Sequence, residues 1–364
     1  MTNKKLNKSS KNEISKQDVQ KKCEQVKIGI DVHASFAMVT RQFDDSKPQP
    51  AQRFQNVDLV KWIEKQFGWA KKVTTCYEAG PTGFWLHREL TERGVTNHVV
   101  CPTALDSRKK GVNTDQTDSN ELQSRLDRFL AGNTRAMSVV TVPTLEQEQK
   151  RAITRQRQQL QKHRLSLAAQ GRTLMLLHGF RRRNDWWEPA RWCELQLDMP
   201  KWILQRLEIF RELILAVDKQ LKRVTAEVVA AAPEIKPLGL GGLTHEIIDR
   251  EVGDWQRFRN WRQVGSFAGL VGGVSASGQQ KADLSITKAG NRRLRTALIE
   301  AAWRLLIHQP QYWLVKKWKH VLCNPKAHAR RRKQIIVAVA RQFFIDLWKW
   351  KTGKATPESL GWAM

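Results

Sequence analysis

From Leu145 to Leu177 the chain has no proline, has no glycine before Gly171, and is rich in Gln, Arg, Lys and Leu. Such side chains lose little freedom in a helix, so the stretch predicts one long amphipathic helix. A second helical stretch, Ile203 to Ala232, returns after the segment around Trp186, Trp187 and Trp192. Together they predict an antiparallel helical arm over 143–232 that joins two lobes, its plain roles being spacing and dimerisation.

The lobe before the arm reads as α/β. Val26 to Asp31 is a short apolar strand ending in a carboxylate, and Phe36 to Thr40 reads as its hairpin partner. Val73 to Tyr77 and Val95 to Val100 are further strands, Thr82 to Arg93 is a helix after the Gly80-Pro81 turn, and Asp115 to about Leu130 is a closing helix. This order predicts a three-layer α/β domain over 26–142. After the arm, 233–350 alternates Gly-rich turns with basic helices, one opened by Arg292, Arg293 and Arg295 and another by Arg330, Arg331, Arg332 and Lys333. A mainly α domain is expected there, with 351–364 as a tail. Residues 1–25 are lysine-rich and polar, the composition of a disordered basic arm rather than of a secretory signal.

Charge narrows the function. Lys and Arg number 63 against 35 Asp and Glu, a net +28, which favours a polyanionic partner such as nucleic acid. No apolar run reaches the ~18 residues that a membrane span requires, so no membrane partner is expected. Cys23, Cys76, Cys101, Cys193 and Cys323 are widely spaced without a C-x-x-C pair, which suggests a reducing cytoplasm rather than a disulfide framework or zinc knuckle. Trp303, Trp313, Trp318, Trp348 and Trp350 could stack on exposed bases, although the apolar spacing around Trp303 predicts a core position for it.

Four acids stand where a metal-dependent nuclease would place them. Asp31 ends the first strand, Glu78 ends a later one, and Asp115 and Asp118 are three apart, hence on one side of the closing helix. Singly each has an ordinary structural explanation: a turn cap, a loop rim, the N-cap of a helix. As an ordered set they match the carboxylate cluster of a ribonuclease-H-type metal site, whose divalent ions stabilise attacking and leaving phosphate oxygens. Far downstream, Ser275 and Ser277 lie in a small-residue loop, Gly272 to Gly278, followed by Lys288-x-Gly290-Asn291-Arg292-Arg293-x-x-Arg295. A serine hydroxyl is a weak nucleophile unless activated, and Ser-Gly is ordinary turn chemistry, so this segment alone identifies nothing.

The segments Ile28 to His33, Tyr77 to Gly83 and Thr114 to Asp118 resemble the RuvC-like domain of the DEDD-type insertion-sequence transposases, the bridge-RNA-guided serine recombinases. Gly269 to Gly278 and Ile286 to Arg295 resemble that family's carboxy-terminal domain. Asn113 stands where the family often has a basic residue, and Gly272 where it often has proline. The resemblance implies that Asp31, Glu78, Asp115 and Asp118 bind Mg²⁺ and that Ser277, with Ser275 as the fallback, attacks DNA to form a phosphoserine link. It also implies that Gly278, Lys288, Asn291, Arg292, Arg293 and Arg295 contact nucleic acid. A structured bridge RNA would choose the target, and homodimers would pair into homotetramers around two DNAs. Two rivals stand beside this reading: a metal-only nuclease of the Holliday-junction type, and a nucleic-acid-binding protein without chemistry.

Overall fold

The computed structural model describes residues 23–102, 114–181, 184–277 and 280–364. They form two compact units, one ending at Val142 and one running from Pro143 to Met364.

The first unit is built on a five-stranded sheet in the order β3-β2-β1-β4-β5, comprising β1 (Cys23–Val32), β2 (Phe36–Phe43), β3 (Gln52–Gln55), β4 (Ala70–Glu78) and β5 (Thr96–Val100). β1 pairs antiparallel with β2 and parallel with β4, and β4 pairs parallel with β5. Alternation along β1 sorts its side chains between two faces. Val26, Ile28 and Ile30 pack with Leu59 and Ile63 of α1 (Asn56–Glu64) and with Leu86 and Leu90 of α2 (Trp85–Glu92). Lys27, Gly29 and Asp31 face the other way, toward α3 (Asp115–Leu130). At ~25 cal/mol per Å² of apolar surface, the first face supplies most of this unit's hydrophobic stabilisation. The second face is smaller, with Cys76, Val100, Leu122, Leu126 and Met137. β3 and α1 are additions to the strands and helices that the sequence predicts.

α3 is fixed against β1 at three levels. The Lys27 ammonium meets Asp127 at 2.6 Å. Gly29 lies directly under the helix backbone, where a Cβ would sit 2.3 Å from the Gln123 nitrogen and 2.5 Å from the Ser119 carbonyl oxygen. Thr40 adds hydrogen bonds to Ser119 and Asn120, and Gln123 donates to Gln42. The helix therefore runs along the polar face with its N-terminus at the end of β1 that carries Asp31.

The second unit contains the arm. α4 (Leu145–Leu177) and α6 (Lys201–Ala230) pack antiparallel, tied by Arg157 to Thr225 at 2.8 Å and by Arg164 to Asp218 at 3.1 Å. Trp186, Trp187 and Trp192 are buried between them with Ala168, Met175 and Ile203, and α5 (Pro189–Asp198) supplies Trp192. Gly171 admits the Trp186 ring, since a Cβ there would lie 2.2 Å from it. The rest comprises α7 (Gly242–Val252), α8 (Trp261–Phe267), the hairpin β6 (Gly272–Ser277) and β7 (Gln280–Ile286), α9 (Arg292–His308), α10 (Trp313–Leu322), α11 (Ala329–Lys351) and the short α12 (Pro357–Leu360). Its core is aliphatic and aromatic, centred on α9 and α11. The expectation of a small-residue loop around Ser275 and Ser277 gives way to this two-stranded hairpin. Gly, Ala and Ser lack the apolar alternation by which a strand is read. Trp303 is also not a core residue: it is 37% exposed, with the Arg332 guanidinium 5.8 Å from its ring. Among the described residues no helix is long and apolar enough to cross a membrane.

Candidate active site

The end of β1 and the start of α3 bring Asp31 and Asp115 together, while among the described residues no group of three ligand atoms within 4.8 Å of one another includes Glu78 or Asp118. Asp31 lies on the α3 face of β1. Cys76 and Glu78 share the corresponding face of β4, where the Cys76 thiol donates to the Leu122 carbonyl of α3 and burial pushes its pKa up to about 12. Asp115 and Asp118 occupy the first turn of α3. The N-cap is Thr114, not Asp115: Thr114 and Thr117 form a reciprocal capping box that leaves both carboxylates unencumbered at the positive end of the helix dipole.

His33, the residue after β1, joins this group. Its Nε2 is 3.0 Å from Asp31 Oδ2 and 3.6 Å from Asp115 Oδ1, and ligand atoms of the three residues all lie within 4.8 Å of one another. The imidazole is held in place by its surroundings. It stacks on Phe36 at 4.6 Å, and the Arg53 guanidinium lies 3.9 Å from the Phe36 ring. The His33 amide donates to the Phe36 carbonyl, and Asn56 donates to the His33 carbonyl. Sequence reasoning misses His33 because a lone histidine after a strand has no spacing that marks it.

Electrostatics bind Glu78 and Asp118 into the same neighbourhood. Burial raises the Asp31 pKa, opposed by His33 and reinforced by Asp115. Burial likewise raises Glu78, with Arg125 opposing and Asp118 and Asp31 reinforcing. Asp118 is raised by burial and then by Asp31 and Asp115. Asp31 is thus felt by both Glu78 and Asp118, and Asp118 by Glu78. Glu78 Oε1 is buried with no hydrogen-bond partner among the described residues. Repelling acids and an orphaned carboxylate oxygen together fit a divalent cation, which would satisfy both. Carboxylate oxygens suit Mg²⁺, and the His33 nitrogen adds a donor better matched to Mn²⁺.

In the second unit, Ser277 is the last residue of β6 and pairs with Gln280; Ser275 pairs with Ala282. The Ser275 and Ser277 side chains and Gly278 lie outside the described residues. Of the basic run after the hairpin, Lys288 and Arg292 are exposed. Asn291 is the N-cap of α9, accepting from the Arg293 and Leu294 amides, and donates to Glu251 at 2.7 Å. Arg293 donates to Gln158, and Arg295 donates to the Ala268 and Lys288 carbonyls. Gly290 is positioned by its lack of a side chain, since a Cβ would lie 2.5 Å from the Gly269 nitrogen. These bonds fix the start of α9 against α4, α7 and the end of α8.

Comparison with known proteins gives this arrangement its context. A sequence model of the IS116/IS110/IS902 transposase family matches residues 238–317, a span that includes the serine hairpin and α9. A Sinorhizobium fredii protein named as a transposase, y4rJ, is 31% identical over 300 residues, which cover 75% of each chain. The chain belongs to the IS110/IS116 family of transposases. Its relatives also include the transposase for insertion sequence element IS1533 of Leptospira borgpetersenii, 26% identical over 77% of this chain and 85% of that one. The transposase for insertion sequence element IS1111A of Coxiella burnetii is 27% identical, over 63% and 64% respectively. The chain is therefore an insertion-sequence transposase with DNA as its substrate.

Proposed function

We propose that this transposase cuts and rejoins DNA through a serine–phosphate intermediate on Ser277, and that its first unit is a RuvC-like metal site of Asp31, Glu78, Asp115 and Asp118. The observation that carries the metal reading is Glu78 Oε1, buried and without a hydrogen-bond partner among the described residues, on a carboxylate whose pKa the charges of Asp118 and Asp31 raise. A Mg²⁺ bound there would draw charge from the scissile phosphate and favour the departing oxygen.

The protein's own groups do the rest. Ser277 Oγ forms a new bond to phosphorus while the phosphorus–oxygen bond of the DNA strand breaks, and the strand leaves as a hydroxyl. The serine proton balances that hydroxyl. One phosphoester replaces another, so rejoining needs no nucleotide triphosphate; the reverse attack by a strand hydroxyl restores DNA and serine. Lys288 and Arg292, exposed after the open end of the hairpin, would hold phosphates, while Asn291, Arg293 and Arg295 position the start of α9. The net +28 supports a second polyanion, a structured bridge RNA that selects the target. Half-exposed Leu165, Ile209 and Leu213 on the arm support its use as the contact between protomers, with dimers pairing into tetramers.

An excision assay with element ends, cognate RNA and Mg²⁺ tests the reading. Ser277→Ala and Asp115→Ala are both expected to abolish excision while Ser275→Ala retains it. Cutting that survives Ser277→Ala would instead favour a hydrolytic nuclease with water as nucleophile. Undiminished excision in Asp115→Ala would remove the metal site from the account.

A further inference from the structure

The second unit contains a cavity of about 1000 Å³ that neither the acids nor the serine explains. It is bounded by α8, α10 and α11 and by the open end of the β6–β7 hairpin, where Gly272 and Ser285 line its edge. Its size is at the upper end of the roughly 300–1,000 Å³ typical of ligand clefts.

The lining is specific in kind. Trp261 and Trp313 both face it and are 44% and 47% exposed, although indoles are usually well buried. Arg330, Lys333 and Arg341 bring three cations, and among the described residues no Asp or Glu lines the cavity. The Arg341 guanidinium lies 5.6 Å from the Trp261 ring, and its Nε is buried without a hydrogen-bond partner among the described residues. Aromatic faces next to a group of cations suit a ligand that is at once planar and anionic. A nucleotide is both. Bases inside a duplex present only their edges to a protein, so indole faces can stack only on unpaired ones.

Position adds to the chemistry. From Gly272 at the rim to Ser277 at the tip is five residues of strand, roughly 17 Å. That is a span of a few nucleotides, so a strand presenting a phosphate to the hairpin tip can reach the cavity with its neighbouring bases.

We propose that this cavity is a single-stranded-DNA subsite, in which unpaired bases stack on Trp261 and Trp313 while Arg330, Lys333 and Arg341 hold their phosphates. The inference rests on the chain's being a transposase, and only its positional argument leans on the proposed role of Ser277. It is therefore tested without cleavage, in full-length protein with EDTA present.

Equilibrium binding is measured by anisotropy for a short single strand, the same strand carrying abasic residues, its RNA counterpart and a flush-ended duplex. Wild-type protein is expected to prefer the single strand with bases over the abasic strand by at least roughly 5- to 150-fold, the range of one stacked base, since two indoles are available. Trp261→Ala and Trp313→Ala should each erase much of that preference, with Trp313→Phe restoring it. Duplex affinity and salt dependence should stay unchanged, and Trp69→Ala, at an exposed indole of the other unit, should have no effect. Arg341→Gln should instead lower the salt slope by about one. Equal binding of normal and abasic strands by the wild-type protein would overturn the proposal even if every variant misfolded. So would a loss of duplex and single-strand affinity together in the Trp variants, or a preference for the RNA strand that these variants abolish.

Discussion

A methyl group on Gly29 would lie 2.3 Å from the Gln123 nitrogen and 2.5 Å from the Ser119 carbonyl oxygen, both backbone atoms of α3. Gly29→Ala must therefore lift the helix that carries Asp115 and Asp118 away from the strand that carries Asp31. Overpacking of this kind costs about 1–3 kcal/mol. The expected result is a lower urea midpoint together with a smaller rise in thermal midpoint on adding Mn²⁺; an unchanged midpoint would contradict the close contact. His33 makes a separate prediction. If its Nε2 joins Asp31 and Asp115 on a cation, electron spin-echo modulation of the Mn²⁺-loaded protein should show imidazole nitrogen coupling, lost in His33→Ala while Mn²⁺ still binds. Bound Mn²⁺ with no nitrogen coupling in the wild-type protein would exclude the histidine as a ligand. That Asp31 and Glu78 stand near the ends of strands and that Asp115 and Asp118 share one side of a helix was legible in the sequence, from the strand pattern and the i,i+3 spacing. Gly29, His33 and Trp261 were not, because what makes each important is a contact with a residue far away in the chain.

Elements with strong local signals matched their expected bounds. α3 and α4 begin at capping boxes, Thr114 with Thr117 and Thr144 with Gln147, and both helices run where composition places them. α1 has no side-chain cap and β3 is four mostly exposed residues, so neither announces itself. The junction of α4, α7 and α9 depends on buried Glu251, bonded to Arg155 at 3.0 Å and to Asn291 at 2.7 Å. Burial alone would raise the Glu251 pKa, but the Arg155 and Asn291 hydrogen bonds and the charges of Arg155 and Arg293 outweigh it and hold it below the ordinary 4.5. A carboxylate whose folded pKa is depressed stabilises the fold above its unfolded pKa and loses that contribution as pH falls through the folded value. Stability is thus expected to decline with acidification from about pH 4.5 downward, and Glu251→Gln should flatten that part of the profile in denaturant titrations. An identical slope in the variant would show that other carboxylates govern acid unfolding.

Across the molecule, the excess of 63 basic over 35 acidic residues sets how the transposase meets its substrate. Binding that releases counterions from six to ten phosphates weakens by roughly 10³ to 10⁵ between 50 and 200 mM salt. DNA affinity should fall within that range in a salt titration; a weak dependence would mean that most of the charge is spent elsewhere. The arrangement of parts along the chain was readable at this scale, with an acid-bearing α/β unit ahead of a long helical pair and a serine-bearing segment beyond. What the hairpin around Ser277 does to DNA was not, since small residues carry no chemical mark of a nucleophile. That role is open to direct measurement. Protein is incubated with element ends, cognate RNA and Mg²⁺, the DNA is digested with nuclease, and peptides are sequenced by mass spectrometry. A nucleotide attached to Ser277, absent in Asp115→Ala, is the predicted result; strand cleavage with every serine of the hairpin unmodified would contradict it.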